Sequence, residues 1–335
     1  MPPAFSAFGE NAPVRVVVVG AGINGLAAAA TLARAGHEVV VHEQYELDHR
    51  HGSSHGRSRI FRLSYPEQHW VQLAKEAHEG WRALEEEAGE RLIEYTGLLE
   101  LGETSEDALD ACDVPWETLE SEAVALRFGI RAEGRALLQP EAGISLADVA
   151  RRAFANVARR HGAAFSERVR VESLASVDAD VVIVTAGGWA KPLLAAEGIG
   201  LDVTVTRETV VYFALERSTP SVIEYGRGPG AVMYALRDPL HGLKAGVHVA
   251  GPSADPDEAG EPEPALVKTT VEWVRERFPE AGPPVASETC LYTSTLDHSF
   301  VLERHGRIVV GSACSGHGFK FAPAVGTRLA ALATG

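Results

Sequence analysis

The run Val14-Arg15-Val16-Val17-Val18-Val19 leads directly into Gly20-Ala21-Gly22-Ile23-Asn24-Gly25, and this junction constrains the fold more than any other stretch. A β-branched run without polar alternation suits a strand buried on both faces of a parallel sheet. The alanine-rich stretch from Leu26 to Arg34, closed by Gly36, predicts a helix, and Glu38 to His42 predicts the next strand. In such a unit Gly20 permits the tight turn, Gly22 lets a pyrophosphate approach the backbone, and Gly25 allows close helix packing. The phosphates would lie at the positive end of the helix. Glu43 ends the second strand roughly 20 residues after Gly22, where a carboxylate accepts hydrogen bonds from a ribose diol and repels a 2′-phosphate. NADP is therefore disfavoured, whereas NAD and FAD both fit the turn.

The chain has 335 residues, enough for roughly two domains. With 45% hydrophobic and 23% charged residues, wholesale disorder and a collagen-like repeat are excluded. A formal net charge of −15 opposes nucleic acid and anionic lipid as partners. Cys112, Cys290 and Cys314 are too few and too widely spaced for a disulfide framework or a CxxC metal site, which points to a reducing compartment. The opening MPPAFSAFGENAP has neither a basic start nor an apolar core, and apolar stretches are broken by Arg34 or glycine well before membrane-spanning length. A cytoplasmic protein with no membrane partner is expected.

Further along, residues 49–66 read as a polar loop leading into a turn of helix, and Glu67 to Ala88 as a long helix with Trp70, Leu73, Ala74, Ala77, Trp81 and Leu84 on one face. Glu85 to Glu87 read as a solvated helix end. Strands are expected at Thr96 to Leu101, Ala179 to Thr185, Cys290 to Leu302 and Arg307 to Gly311, and helices at Ala147 to His161 and Pro323 to Ala333. From Val203 to Ala250 the pattern changes to strands and turns with no clear helix, and Pro252 to Pro264 reads as acidic surface loop. The segment Val181 to Gly188, a buried strand ending in small residues, would suit a second approach to a flavin cofactor.

Two competing site readings fail on context. Gly52-Ser53-Ser54-His55-Gly56 satisfies GxSxG, but the polar residues Leu47 to His51 before it cannot form the buried strand of a nucleophile elbow. His49, His51 and His55 lack a carboxylate or cysteine at ligand spacing, so no metal is expected.

Three further segments, taken with the glycine turn, resemble the monomeric sarcosine oxidase and N-methyltryptophan oxidase family of flavin amine oxidases. They are Gly52-Ser53-Ser54-His55-Gly56-Arg57-Ser58-Arg59-Ile60-Phe61-Arg62, Gly242-Leu243-Lys244-Ala245-Gly246-Val247-His248, and Cys290-Leu291-Tyr292 with Ser315-Gly316-His317-Gly318-Phe319-Lys320. The resemblance implies FAD, held covalently through Cys290, with Cys314 as the rival thiol. It implies that His55 and Arg59 lie by the flavin, that Arg62 and Lys320 hold a substrate carboxylate, and that Lys320 also lies at the flavin's pyrimidine edge. Lys244 would promote reaction of reduced flavin with O2, while His248 and Tyr292 line the substrate side. Val169, Gly187 and Gly318 complete the expected cofactor contacts. Arg57 departs from the family, which commonly has an acid there, as do Leu63-Ser64.

The implied fold is α/β: a Rossmann-type FAD-binding domain assembled from residues 1–94, 138–200 and 286–335, with a mixed-sheet substrate domain from 95–137 and 201–285. The implied reaction oxidises a secondary amine or an N-methyl or cyclic amino acid. A hydride passes to flavin N5, an imine forms, and O2 is reduced to H2O2. The substrate would be a small amine with a carboxylate and the enzyme a monomer. An NAD-dependent dehydrogenase, or a flavoenzyme acting on a biosynthetic cyclic amine or imine, is the alternative.

Overall fold

Strand β1 (Arg15–Val19) lies inside a six-stranded sheet, between β2 (Glu38–His42) and the strand Val181–Val184. These three run parallel, as does Ala164–Ser166 beyond β2, and the hairpin Val301–His305/Ile308–Ser312 completes the other edge. In β1, Val16 and Val18 pack into one core while Val17 and Val19 pack into another. Both faces are covered, which is why the strand is an unbroken valine run. Helix α1 (Ile23–Arg34) follows β1 without delay and packs on Ala147–Arg160 and Ala322–Thr334. The computed structural model describes residues 12–102, 105–226 and 232–335; most of the opening segment considered above, up to residue 11, lies outside the described residues.

A second sheet has eight strands, in the order Pro284–Ser294, Thr204–Ala214, Gly242–His248, Val232–Asp238, Ser221–Glu224, Leu98–Leu101, Ala136–Gln139, Glu117–Leu119. It is antiparallel except where Ser221–Glu224 meets Leu98–Leu101. A small sheet joins β3 (Ser58–Phe61), Gly143–Leu146 and Ile93–Glu94. Helix α2 (Gln68–Ala88) buries Val71, Ala74, Ala77, Trp81 and Leu84. The mixed α/β architecture thus matches the expected fold class.

Several local expectations need correction. Cys290 to Leu302 is not one strand: Pro284–Ser294 ends and the chain turns before Val301. Asp297 accepts from the Ser299 amide at 3.1 Å and hydroxyl at 2.7 Å, a side-chain-stabilised turn, and His298 there has a positive φ of 59°. Pairing along Pro284–Ser294 places Cys290 opposite Glu208 in the eight-stranded sheet. The expected domain borders at 138 and 286 therefore each fall inside a strand of that sheet. Residues 58–61 are a strand rather than part of a polar loop, because tertiary pairing with Gly143–Leu146 decides the conformation. Glu85 and Glu87 are engaged rather than solvated: Glu85 accepts from the Leu92 and Ile93 amides, and Glu87 pairs with Arg34, Arg160 and His161. Helices at Glu106–Ala111, Ser121–Phe128 and Pro264–Arg277 went unread in the sequence.

Candidate active site

A cavity of about 850 Å³ runs from the glycine turn to the eight-stranded sheet. Every residue expected above to contact cofactor or substrate lines it except Gly25, which packs behind the turn. A Cβ at Gly25 would stand 2.1 Å from the Gly20 carbonyl and 2.5 Å from Thr185 Oγ1, so only glycine lets α1 approach so closely. The Thr185 hydroxyl donates to the Val19 and Gly20 carbonyls, locking the two strand ends together. Ser54 Oγ accepts from the Ile23 amide at 3.1 Å, so the Ser-rich loop caps α1.

Glu43 is buried at the same end. Its carboxylate accepts from the Ala21 amide at 2.8 Å and the Tyr45 amide at 3.0 Å, with His49 Nε2 3.6 Å away. Burial pushes this carboxyl up, but His49 and the two amides outweigh it and the net shift is down. A carboxylate has about four acceptor positions, so capacity remains for a ribose diol. Val169 donates its amide to the Glu43 carbonyl at 2.8 Å, and Gly187 lies across the cavity. His49 and His51 flank the Tyr45 ring, at centroid distances of 5.1 and 4.1 Å, which accounts for the histidine-rich loop without a metal.

The middle of the cavity carries the cations and thiols. Arg59 donates to the carbonyls of Ser53, His55 and Ser58, fixing the loop through which it passes. His55 is buried with Nδ1 unpartnered, and burial, Arg59 and Lys244 lower its pKa to about 3. Lys244 projects from Gly242–His248, with Nζ 3.4 Å from the Ser58 carbonyl. Its pKa falls to about 7, chiefly through burial and secondly through Arg59. Leu243, Ala245 and Val247 of the same strand face an apolar core, and its other face carries Lys244 and His248 to the cavity. Cys290 and Cys314 both reach the cavity, and Cys314 Sγ accepts from the Thr293 amide at 3.5 Å.

The far end gathers Arg62, Lys320, His248 and Tyr292. Lys320 Nζ donates to Tyr65 Oη at 3.0 Å and the His317 carbonyl at 2.8 Å, and burial followed by Arg62 depresses its pKa strongly. The His248 ring meets Tyr292 edge-on at 5.6 Å; burial, Arg62 and Lys320 lower the His248 pKa to about 3, and burial raises that of Tyr292. Gly316 packs against this pair, since a Cβ would come within 2.5 Å of both rings. Arg62 lies over the Tyr65 ring at 4.1 Å and donates to Tyr225 Oη at 3.0 Å and Glu100 Oε1 at 3.3 Å.

Glu100 was missed, as were Tyr65, Tyr225 and Tyr234 of the lining. Glu100 occupies a fully buried strand, Leu98–Leu101, and also accepts from the Ser105 amide and hydroxyl. A lone acid in an apolar run was the available signal.

A Gly-turn dinucleotide site continuous with a buried, cation-lined pocket defines a redox enzyme of the α/β dinucleotide class. Residues 15–332 match the family described as FAD dependent oxidoreductase, and the chain belongs to that family. FAD, not NAD, is therefore its dinucleotide. Peroxisomal sarcosine oxidase of Homo sapiens is 32% identical, covering 93% of this chain and 90% of that protein. Monomeric sarcosine oxidase of Bacillus sp. (strain B-0618) is 29% identical over 95% and 91% of the two chains. The structure of NikD, an unusual amino acid oxidase essential for nikkomycin biosynthesis, superposes with a TM-score of 0.85 at 26% identity, covering 96% of this chain and 94% of that one. No helix among the described residues is long and apolar enough to cross a membrane.

Proposed function

We propose that this chain is an FAD-dependent oxidase of a secondary amine or an N-methyl or cyclic amino acid bearing a carboxylate. The observation carrying this reading is the meeting of Arg62, Lys320, His248 and Tyr292 in the cavity that the Gly20–Gly22 turn also lines. The cavity fits FAD: Gly20, Gly22 and Ile23 of the turn line the space, Glu43 stands ready for a diol, and His55 Nδ1 is a buried polar atom without a partner. Bound FAD supplies a two-electron acceptor that passes its electrons to O2 with H2O2 as product.

Arg62 and Lys320 bind the substrate carboxylate. An arriving anion restores the Lys320 charge that burial disfavours, so binding and protonation are coupled. His248 stays neutral near pH 7 and, with Tyr292, orients the amine by hydrogen bonding and excludes water. Lys244 holds a proton at Nζ close to neutrality, beside the position from which Cys290 attaches the flavin. Val210, Ile223, Tyr225 and Val232 set the shape of the substrate end. The FAD-binding unit comprises 1–94, 138–200 and 286–335 in outline, and the enzyme acts as a cytoplasmic monomer.

The test is a visible spectrum of the purified protein and of its acid-precipitated pellet, followed by peroxide assays with sarcosine, N-methyltryptophan and proline. Flavin bands with peroxide from at least one amine support the reading. A protein that neither carries nor binds FAD overturns it.

A further inference from the structure

Helix Ala147–Arg160 packs its face on α1 and α2 with Ala147, Ala150, Ala153, Phe154 and Val157 buried. Arg151 lies on that same buried face, 5% exposed, and it lines the cavity. An arginine so placed needs an anion, because an uncompensated buried charge is strongly destabilising. Among the described residues no carboxylate meets it in an ion pair. One Nη donates to the Leu47 carbonyl, while the Nε is buried with no hydrogen-bond partner.

None of the nearby described acids forms an ion pair with it. Glu43 accepts from the Ala21 and Tyr45 amides, Asp148 accepts from the Gly56 amide at 3.0 Å, and Asp48 is exposed to solvent. Burial accordingly pushes the guanidinium pKa down despite these neighbours. The residues around it also point to one place. Glu43 is bonded to the turn that opens α1, and Arg59, the nearest other cation, holds the loop whose Ser54 caps α1. A cation without an ion-pair partner thus lines the same cavity as the positive end of a 12-residue helix. Two positive elements facing one cavity repel each other until an anion lies between them.

We propose that Arg151 anchors the dinucleotide pyrophosphate, supplying a charge-assisted hydrogen bond that the glycine turn alone does not provide. This rests on the FAD reading above. It assigns a phosphate-binding role to a helix that the motifs do not include, and a guanidinium fork suits phosphate oxygens better than a point charge does.

The test uses the full-length Cys290→Ala protein, so that flavin is exchangeable, stripped of FAD and titrated calorimetrically with FAD, ADP and adenosine. Arg151→Met is expected to weaken FAD and ADP by roughly 10- to 100-fold and to leave adenosine unchanged. Arg151→Lys, which keeps the charge, should fall between, and it decides the matter if the methionine variant loses its native circular dichroism. Unchanged ADP affinity in both variants overturns the assignment. So does an equal loss for adenosine, which would place Arg151 against the sugar or base. In either case wild-type FAD binding leaves the oxidase reading standing, whereas a parent protein that binds neither FAD nor ADP removes both.

Discussion

The Glu100 carboxylate stands 3.3 Å from the Arg62 guanidinium, with none of its side chain exposed to solvent. The cation assigned to the substrate carboxylate therefore already has an internal counterion, and Ser105 holds that counterion from the other side. Once an arriving anion has restored the Lys320 charge, and with His248 neutral, Arg62, Lys320 and Glu100 leave one net positive charge, which suits a substrate carrying one carboxylate and an uncharged amine.

Replacing Glu100 by Gln keeps the shape and the Ser105 contacts but leaves Arg62 and Lys320 unopposed. The expected result is a KM for carboxylate substrates lower by roughly 3- to 10-fold, with stability lower by about 1–3 kcal/mol. Steady-state kinetics and urea unfolding read the two effects, and a raised KM would contradict the charge balance.

Arg62→Ala is expected to raise KM by roughly 10- to 100-fold, because a charge-assisted contact to the carboxylate is lost. The flavin absorbance per protein should not change. An unaltered KM removes Arg62 from carboxylate binding.

Lys244→Met is expected to leave anaerobic reduction by substrate nearly intact while slowing reoxidation by O2 about 100-fold. In the parent enzyme the Lys244 charge is present below its pKa of about 7 and lost above it, so reoxidation should slow as pH rises through that value. Stopped-flow traces between pH 6 and 9 test both statements, and equal slowing of the two half-reactions would falsify the assignment.

The same lysine has a consequence for stability. Its folded pKa of about 7 lies below the ordinary 10.5, so between these values the unfolded chain binds more protons and stability rises with pH. The cost of burying Lys244 is thus greatest below pH 7. Lys244→Met should stabilise the fold by about 1–3 kcal/mol at pH 6 and by less at pH 9, read from urea midpoints.

Cys290→Ala should release yellow colour into the supernatant on acid precipitation, whereas Cys314→Ala should leave it in the pellet. The reverse pattern would transfer the attachment to Cys314, which also lines the cavity.

Local chemistry written in consecutive residues could be read directly. The valine run, the glycine turn and Glu43 each follow from backbone periodicity and sterics, so fold class and cofactor end were legible. Resemblance carried the flavin and substrate roles. Only the tertiary structure brought Glu100 to Arg62, Arg151 to the Leu47 carbonyl, and Ser54 to the Ile23 amide, because these contacts join residues 38, 104 and 31 positions apart. It also made 58–61 a strand and turned the chain between Ser294 and Val301, since pairing partners and side-chain caps outweigh intrinsic preference there. A buried charge is intelligible only with its counterion, and a linear pattern does not say which distant residue supplies it.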